Sequence, residues 1–441
     1  MQSRNLIGGQ WVSAQSGKEI DVTDPATDET IAKVPDAGQA EARAAISAAS
    51  DALDDWRSRT AQERARPLGA LADLMMARQE DLALTMTREQ GKPLAESRGE
   101  IAYAASFIEW AAEEGRRIYG DIVPASQRNK RILVLRQPVG VTACITPWNF
   151  PAAMITRKLG PALAAGCTME VKPASQTPLS ALAIGELAQA AGIPKGVVNI
   201  ITGNARAIGD EFFANRTVRK VSFTGSTEVG KVLMAKAAKN VTRLSLELGG
   251  HAPFLVFDDA DIDAAVAGAM ATKYRNMGQT CICANRFFVQ DGVYEAFAGK
   301  LRVAVEAMKI GRGTEAGVQV GPLVDDAAVA KVREHVEDAR AKGANVLTGG
   351  SLAELGNGLA HRFYRPTILD GFTDDMLISR EETFGPVAPL RRFRHEDEAI
   401  RMANDSPFGL AAYFYTRDAS RLMRVAERLD YGVIGANDGA P

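Results

Sequence analysis

Residue types able to do covalent chemistry gather in a few short segments of this chain. GQTCICANR, Gly278 to Arg286, sets Cys281 between a helical pattern and the strand-like run FFVQ, in a stretch of small and polar residues. A loop thiol is accessible, and a cysteine becomes a nucleophile when its pKa is lowered beside an electrophile. The alternative is a small buried hydrophobe, the commoner state of a free cysteine. RLSLELGG ends a predicted strand on Glu247, followed by two glycines that let another backbone or a ligand come close. At the rim of a crevice such a carboxylate can have a raised pKa and act as general base; otherwise it is a solvated strand end. TPWNFP, Thr146 to Pro151, supplies Asn149, whose side-chain amide could donate to a developing oxyanion. VKPASQTP, Val171 to Pro178, closes a strand on Lys172 and puts Ser175 where the next helix is expected to begin. FTGSTEVG, Phe223 to Gly230, gives a glycine turn opening a helix, whose N–H groups suit a pyrophosphate. It departs from the three-glycine dinucleotide fingerprint.

The elements that must position these segments follow from hydrophobic periodicity. Ala-rich amphipathic patterns predict helices over Gln39 to Trp56, Gln62 to Met76 and Ser97 to Glu114. Two strand-like runs, Arg117 to Val123 and Lys130 to Gln137, predict a protruding hairpin. From Val141 the pattern alternates: VTACI, a helix after Pro151, TMEVK, a helix from Pro178, VVNII, a helix near Ile208, KVSF, a helix from Thr227, RLSLE. Strands separated by helical lengths require crossover connections, so the sheet should be mostly parallel and doubly wound, with a ligand crevice at its carboxyl ends. Glu170 stands in the middle of one such strand, where an unpartnered carboxylate is costly. A second α/β region runs from about Leu248 through Arg428, with helical patterns over Asp261 to Arg275, Tyr294 to Met308 and Asp325 to Lys342.

Composition narrows the function classes. A net charge of -2 with interleaved acids and bases builds no electrostatic footprint for nucleic acid or anionic lipid, so any anionic substrate must be held locally. No apolar run is long enough to span a bilayer and the first residues lack a secretory apolar core, which makes the cytoplasm the expected location. Cys144, Cys167, Cys281 and Cys283 are too few for a disulfide framework, and His251, His335, His361 and His395 show no metal-ligand spacing.

Taken together, PWNFP, KPAS, FTGST, LELGG, GQTC and EETFGP, in that order across nearly the whole chain, resemble the aldehyde dehydrogenase superfamily. The resemblance implies an α/β fold of two Rossmann-like parallel-sheet domains plus a small β-hairpin oligomerisation element. It places a dinucleotide-binding domain at 1–115 and 138–247, a catalytic domain at 248–428, and the oligomerisation element at 116–137 and 429–441. Members of that family continue past YGVIGANDGAP through a glycine-rich loop and a further strand, so only part of that element is expected here. The resemblance also implies roles. Cys281 attacks an aldehyde, Asn149 and the Cys281 amide hold the oxyanion, and Glu247 activates the hydrolytic water. Ile145, Trp148, Lys172, Ala174, Ser175, Gly225, Ser226, Leu248, Glu382 and Phe384 are similar to the family's contacts with NADP or NAD, with Lys172 and Glu382 on the ribose hydroxyls. This chemistry is coherent by itself: a thiohemiacetal alkoxide collapses to a thioester while expelling hydride, and a base then completes turnover.

Within that family the segments AAMITRKLGPALAAGCT and YRNMGQTCICANR are similar to succinate-semialdehyde dehydrogenases. Arg157 and Arg275 match the positions that grip the distal carboxylate there, and a bidentate guanidinium suits that task, although both could simply solvate helix faces. Glutarate or 2-oxoglutarate semialdehyde is the alternative substrate, and a dinucleotide-binding relic the alternative from another class. Ser175 stands where NAD-preferring relatives carry a glutamate that would repel a 2′-phosphate, which implies that NADP is accepted. Cys283 is the implied redox partner of Cys281, through a disulfide strained by its closeness in sequence.

Overall fold

The computed structural model describes residues 2–356 and 358–439. It divides into two units: one runs up to Thr23 and takes in Thr30–Gln90 and Ser97–Glu247, and the other comprises Asp24–Glu29, Gly91–Glu96 and the chain from Leu248 onward.

The first unit is built on a seven-stranded sheet in the order Arg243–Glu247, Val218–Thr224, Val141–Ile145, Thr168–Lys172, Val198–Ile200, Asn5–Ile7, Gln10–Val12. The first five strands are parallel, and the last two join antiparallel at the edge. Their near-continuous apolar runs reflect burial on both faces: every residue of Thr168–Lys172 is buried, as is all of Val141–Ile145 except its last residue. Helices Ala153–Ala164, Leu179–Ala190, Ala205–Ala214 and Thr227–Ala238 make the crossovers where the alternation predicts them. The chain leaves Val141–Ile145 in one direction and returns on its other side as Val218–Thr224. A doubly wound sheet has its crevice at such a reversal. It falls at the loops that carry TPWNFP and FTGST.

The second unit repeats the plan with the order Asn345–Thr348, Thr367–Asp370, Val387–Phe393, Ala284–Gln290, Ala252–Val256, Ala411–Tyr415, Val433–Ala436, parallel except for the first pair. Period-two alternation divides its core. Phe254 packs with Phe287 and Tyr415, ring centroids 5.1 and 5.2 Å away, on one face. Leu255 joins Phe257 and Phe288 in the core of the other.

The hairpin pairs Asp121–Val123 with Ile132–Val134, three residues each instead of the longer runs expected, and every one of them is exposed. Two further features escaped the periodicity. The amino-terminal stretch carries four short strands, and Gln79–Gln90 is a helix, following directly on the Arg78 cap of the helix Ala61–Ala77.

Candidate active site

At the carboxyl edge of the first sheet, Ile145 stands in register with Lys172 and with Phe223, and Thr224 with Glu247, so four strand ends deliver their residues together. Backbone bonds lock the loops that follow: Gly225 N–H donates to the Glu247 carbonyl at 3.1 Å, and Thr146 N–H to that of Lys172 at 3.1 Å. The Thr177 hydroxyl reaches the Trp148 carbonyl at 3.4 Å and ties the TPWNFP loop to KPASQTP. Asn149 is buried, and its Oδ1 accepts the Phe150 N–H at 3.1 Å, which commits the acceptor end of the amide and leaves Nδ2 as its donor end. Glu247 is exposed at the end of its strand.

Lys172 is buried, with Nζ donating to the Pro173 carbonyl at 2.8 Å, and burial pushes its ammonium down to about 8. An ammonium so placed fits ribose hydroxyls or a phosphate. Ser175 and Ala174 lie in the partly exposed loop after it. The helix begins at Leu179 with Pro178 as its cap, where the strand–helix alternation predicts it, and not at Ser175. That start is fixed from afar: the buried Glu89 carboxylate accepts the N–H groups of Leu179 at 2.7 Å and Ser180 at 2.8 Å. Glu100 does the same for Ala152 and Ala153, at 2.9 and 3.2 Å, where the helix Ala153–Ala164 opens. Each carboxylate satisfies orphan N–H groups of a helix start and complements its positive dipole end. These two helix starts are therefore taken by the protein itself. Ala205–Ala214 is capped by its own Asn204, whose Oδ1 accepts the Ala207 N–H at 3.0 Å. The helix that opens on the Gly225 turn, Thr227–Ala238, is capped by its own Ser226, whose Oγ accepts from Val229 N–H at 3.3 Å and which is exposed behind Gly225. It is the start that fits a dinucleotide pyrophosphate.

Lys158 was not singled out by the sequence. It is buried on the helix after TPWNFP, and its Nζ donates to Ser222 Oγ at 2.9 Å. Burial lowers its pKa, opposed by the charges of Cys144 and Glu247. The signal lay in MITRKLG, a lysine amid the apolar face of a helix.

In the second unit three loops converge. Cys281 is half-buried, after the helix Ile262–Tyr274 and a short 3-10 turn. Asn276, Met277 and Gly278 adopt successive left-handed conformations, with φ of 51°, 55° and 72°. Two such non-glycine residues in a row are strained, and the surroundings hold them there. Asn276 Nδ2 donates to the Gln279 carbonyl at 3.3 Å, Gln279 Nε2 returns a bond to the Asn276 carbonyl at 3.2 Å, and Glu96 accepts the Asn276 N–H at 2.8 Å. A Cβ on Gly278 would run into the Gly385 carbonyl, so the GQTC loop lies directly against EETFGP. Likewise a Cβ on Gly250 would strike the Cys281 carbonyl, while Gly250 N–H donates to Glu382 Oε1 at 3.1 Å. The LELGG turn with Leu248, the Cys281 loop, and Glu382 and Phe384 are thus assembled as one cluster. Phe384 itself is left-handed at φ 54°. Buried His335 braces that loop through Nδ1 and the Thr383 hydroxyl, 3.1 Å apart.

Cys283 is fully buried and not joined in a disulfide. Lys273 Nζ lies 3.3 Å from its Sγ and donates to Asn285 Oδ1 at 2.8 Å. A disulfide with Cys281 would have to draw that sulfur out of this clasp. Arg157 Nη2 donates to the Tyr103 hydroxyl at 2.8 Å, and Arg275 is exposed just ahead of the strained turn. Among the described residues no cluster of side chains has metal-ligand geometry, and no helix is long and apolar enough to cross a membrane.

The family model for the aldehyde dehydrogenase family matches residues 11–441. The chain belongs to the aldehyde dehydrogenase family. It is an oxidoreductase acting on aldehydes with a nicotinamide dinucleotide, and its two parallel-sheet α/β units are that family's fold. It is 60% identical to the NADP-dependent succinate-semialdehyde dehydrogenase of Escherichia coli over 434 residues, 98% of this chain and 89% of that protein. To the glutarate-semialdehyde dehydrogenase of Pseudomonas putida it is 61% identical over 433 residues, again 98% and 89%. The crystal structure of a succinate-semialdehyde dehydrogenase from Burkholderia pseudomallei superposes with a TM-score of 0.98 at 57% identity, covering all of this enzyme and 91% of that chain.

Proposed function

We propose that the enzyme oxidises a short aldehyde bearing a distal carboxylate, succinate semialdehyde first, to the dicarboxylic acid, with NADP accepted. The observation that carries this reading is the cluster that sets Cys281 on a strained, clasped turn against the Glu382 loop. The sulfur of Cys281 adds to the aldehyde carbon. The Asn149 Nδ2 and the Cys281 N–H hold the alkoxide oxygen, and collapse leaves a thioester on the sulfur. Glu247, exposed and so open to solvent, takes a proton from the water that cleaves it. A bound nicotinamide dinucleotide supplies the hydride acceptor. Lys172 and Glu382 hold its ribose hydroxyls, Gly225 and Ser226 its pyrophosphate, and Ile145, Trp148, Ala174, Leu248 and Phe384 line it. Ser175 offers a 2′-phosphate no repelling carboxylate. Arg157 and Arg275 select the substrate's carboxylate. Two relatives at about 60% identity differ by one methylene in the substrates that their names state, so succinate and glutarate semialdehyde are the pair to separate. A methylene is worth only about 1–3 kcal/mol in such a pocket.

A panel of specificity constants tests the reading. Succinate and glutarate semialdehyde should both exceed propanal, and NADP should be used at least as well as NAD; propanal as the preferred substrate, or strong NAD preference, would overturn the corresponding part. The exposed hairpin at 116–137 supports assembly into a homo-oligomer.

A further inference from the structure

The first unit holds a cavity of about 740 Å³ that the aldehyde chemistry does not use. Four arginines from distant parts of the chain line it: Arg57 from the last turn of the helix Gln39–Ser58, Arg64 from the helix Ala61–Ala77, Arg116 from the turn Gly115–Arg117, and Arg136 just past the hairpin strand Ile132–Val134. No aspartate or glutamate lines it, in a chain with 54 acidic against 52 basic residues. Arginines often serve only to cap helix carboxyl ends, and Arg64 does so, with its Nε on the Ala164 carbonyl at 3.0 Å. The others have weaker claims on their charge. Arg57 pairs with exposed Asp54 at 2.9 Å, and Arg136 reaches Asp121 only at 3.9 Å. Arg116 pairs with no carboxylate among the described residues. Surface pairs of this kind are worth little, so they yield readily to a better anion.

We propose that this cavity binds a small anion carrying two or more phosphate groups. Guanidinium forks match phosphate oxygens in pairs and relieve their mutual repulsion when an anion sits between them. Four guanidinium groups exceed what one phosphate engages in paired hydrogen bonds. Tyr119 and Gln137 add neutral donors at the wall.

Isothermal titration of the full-length enzyme with pyrophosphate tests this, with NADP at saturation so that the dinucleotide site is closed to the probe. The expected result is one site per chain with a dissociation constant of roughly 0.1 mM or tighter at low salt, and binding at least about tenfold weaker in Arg116→Ala/Arg136→Ala. Arg116 and Arg136 flank the hairpin proposed to join copies, so sedimentation velocity accompanies the titration. Turnover and assembly should both be unchanged in the variant, because neither residue belongs to the aldehyde site, and binding lost only together with a shift toward monomer would overturn the proposal. Should the double variant fold poorly by circular dichroism, the single exposed Arg116→Ala serves, with the same direction expected. Undiminished pyrophosphate binding in the variants, no binding to the unaltered enzyme up to about 10 mM, or succinate binding as tightly as pyrophosphate would each overturn the proposal.

Discussion

The Arg157 guanidinium, its carbon 4.8 Å from the Phe107 ring centroid and one nitrogen on the Tyr103 hydroxyl, keeps a buried Nε–H with no partner. A buried donor left unsatisfied costs about 1–3 kcal/mol, a cost that a carboxylate bound there, as proposed for the substrate, would remove. Replacing Arg157 with Gln is therefore expected to raise the KM for succinate semialdehyde at least about tenfold, equivalent to ~1.4 kcal/mol, while that for propanal hardly moves. Arg275→Gln should act in the same direction. An equal rise on both substrates would show that these arginines hold up the fold and do not select the carboxylate. The sequence displayed Arg157 as a residue type in the right segment. It could not display Tyr103 and Phe107, one turn apart on a helix some fifty positions earlier, as the platform under it. Among the residues proposed to do chemistry, Lys172 and Glu247 stood out in the sequence because they close strands, and Ser226 because it follows a glycine. The groups that brace their loops, Glu89, Glu100 and the Asn276–Gln279 clasp, act at long range or through backbone conformation that no local pattern carries.

Among the elements, the strand Thr168–Lys172 carries Glu170 at full burial, in register between Ala143 and Asn199. Asn199 Nδ2 donates to its Oε1 at 2.9 Å, and the Asn199 Oδ1 accepts Gly8 N–H at 2.8 Å, so the carboxyl helps fasten the amino-terminal strands to the sheet. Oε2 has no partner, and burial pushes the group up to about 8. Because the folded pKa lies above the unfolded 4.5, the contribution of Glu170 is full below pH 4.5 and is lost as pH rises through about 8. Glu170→Gln keeps the bond from Asn199 and cannot ionise. Its Tm relative to the unaltered enzyme should rise by roughly a few degrees between pH 5 and pH 9. A constant difference across that range would mean that Glu170 does not titrate there. The βαβ alternation was legible because buried parallel strands read as short apolar runs flanked by helical spacing. Asn5–Ile7 and Gln10–Val12 were not, since three residues are too few to show a period of two. The helix start near Pro178 was legible, but the carboxylate that satisfies it was not, because Glu89 lies ninety positions away.

At the scale of the whole molecule, the hairpin presents Ile122 at 81%, Leu133 at 68% and Leu135 at 78% exposure, a patch that a lone chain in water gains nothing by keeping. Paired with another copy it would be covered. Sedimentation velocity should show the unaltered enzyme as an oligomer and Ile122→Asp/Leu133→Asp shifted toward the monomer. A double variant that sediments unchanged would place the interface elsewhere. The fold as a whole, two wound sheets with their ligand loops at the carboxyl ends, was visible from sequence. The close approach at Gly250 was legible as a glycine that lets another backbone come near, whereas the identity of its partner, the Cys281 loop, and the packing of Gly278 on EETFGP were not. The claim on which the functional reading rests is that Cys281 carries the acyl group. Glu247→Gln enzyme, mixed with succinate semialdehyde and NADP, quenched in acid and weighed intact, should gain the mass of one succinyl group on the peptide containing Cys281, with one equivalent of NADPH formed in a burst. An unmodified Cys281 alongside a full burst, or a burst that survives Cys281→Ala, would contradict it.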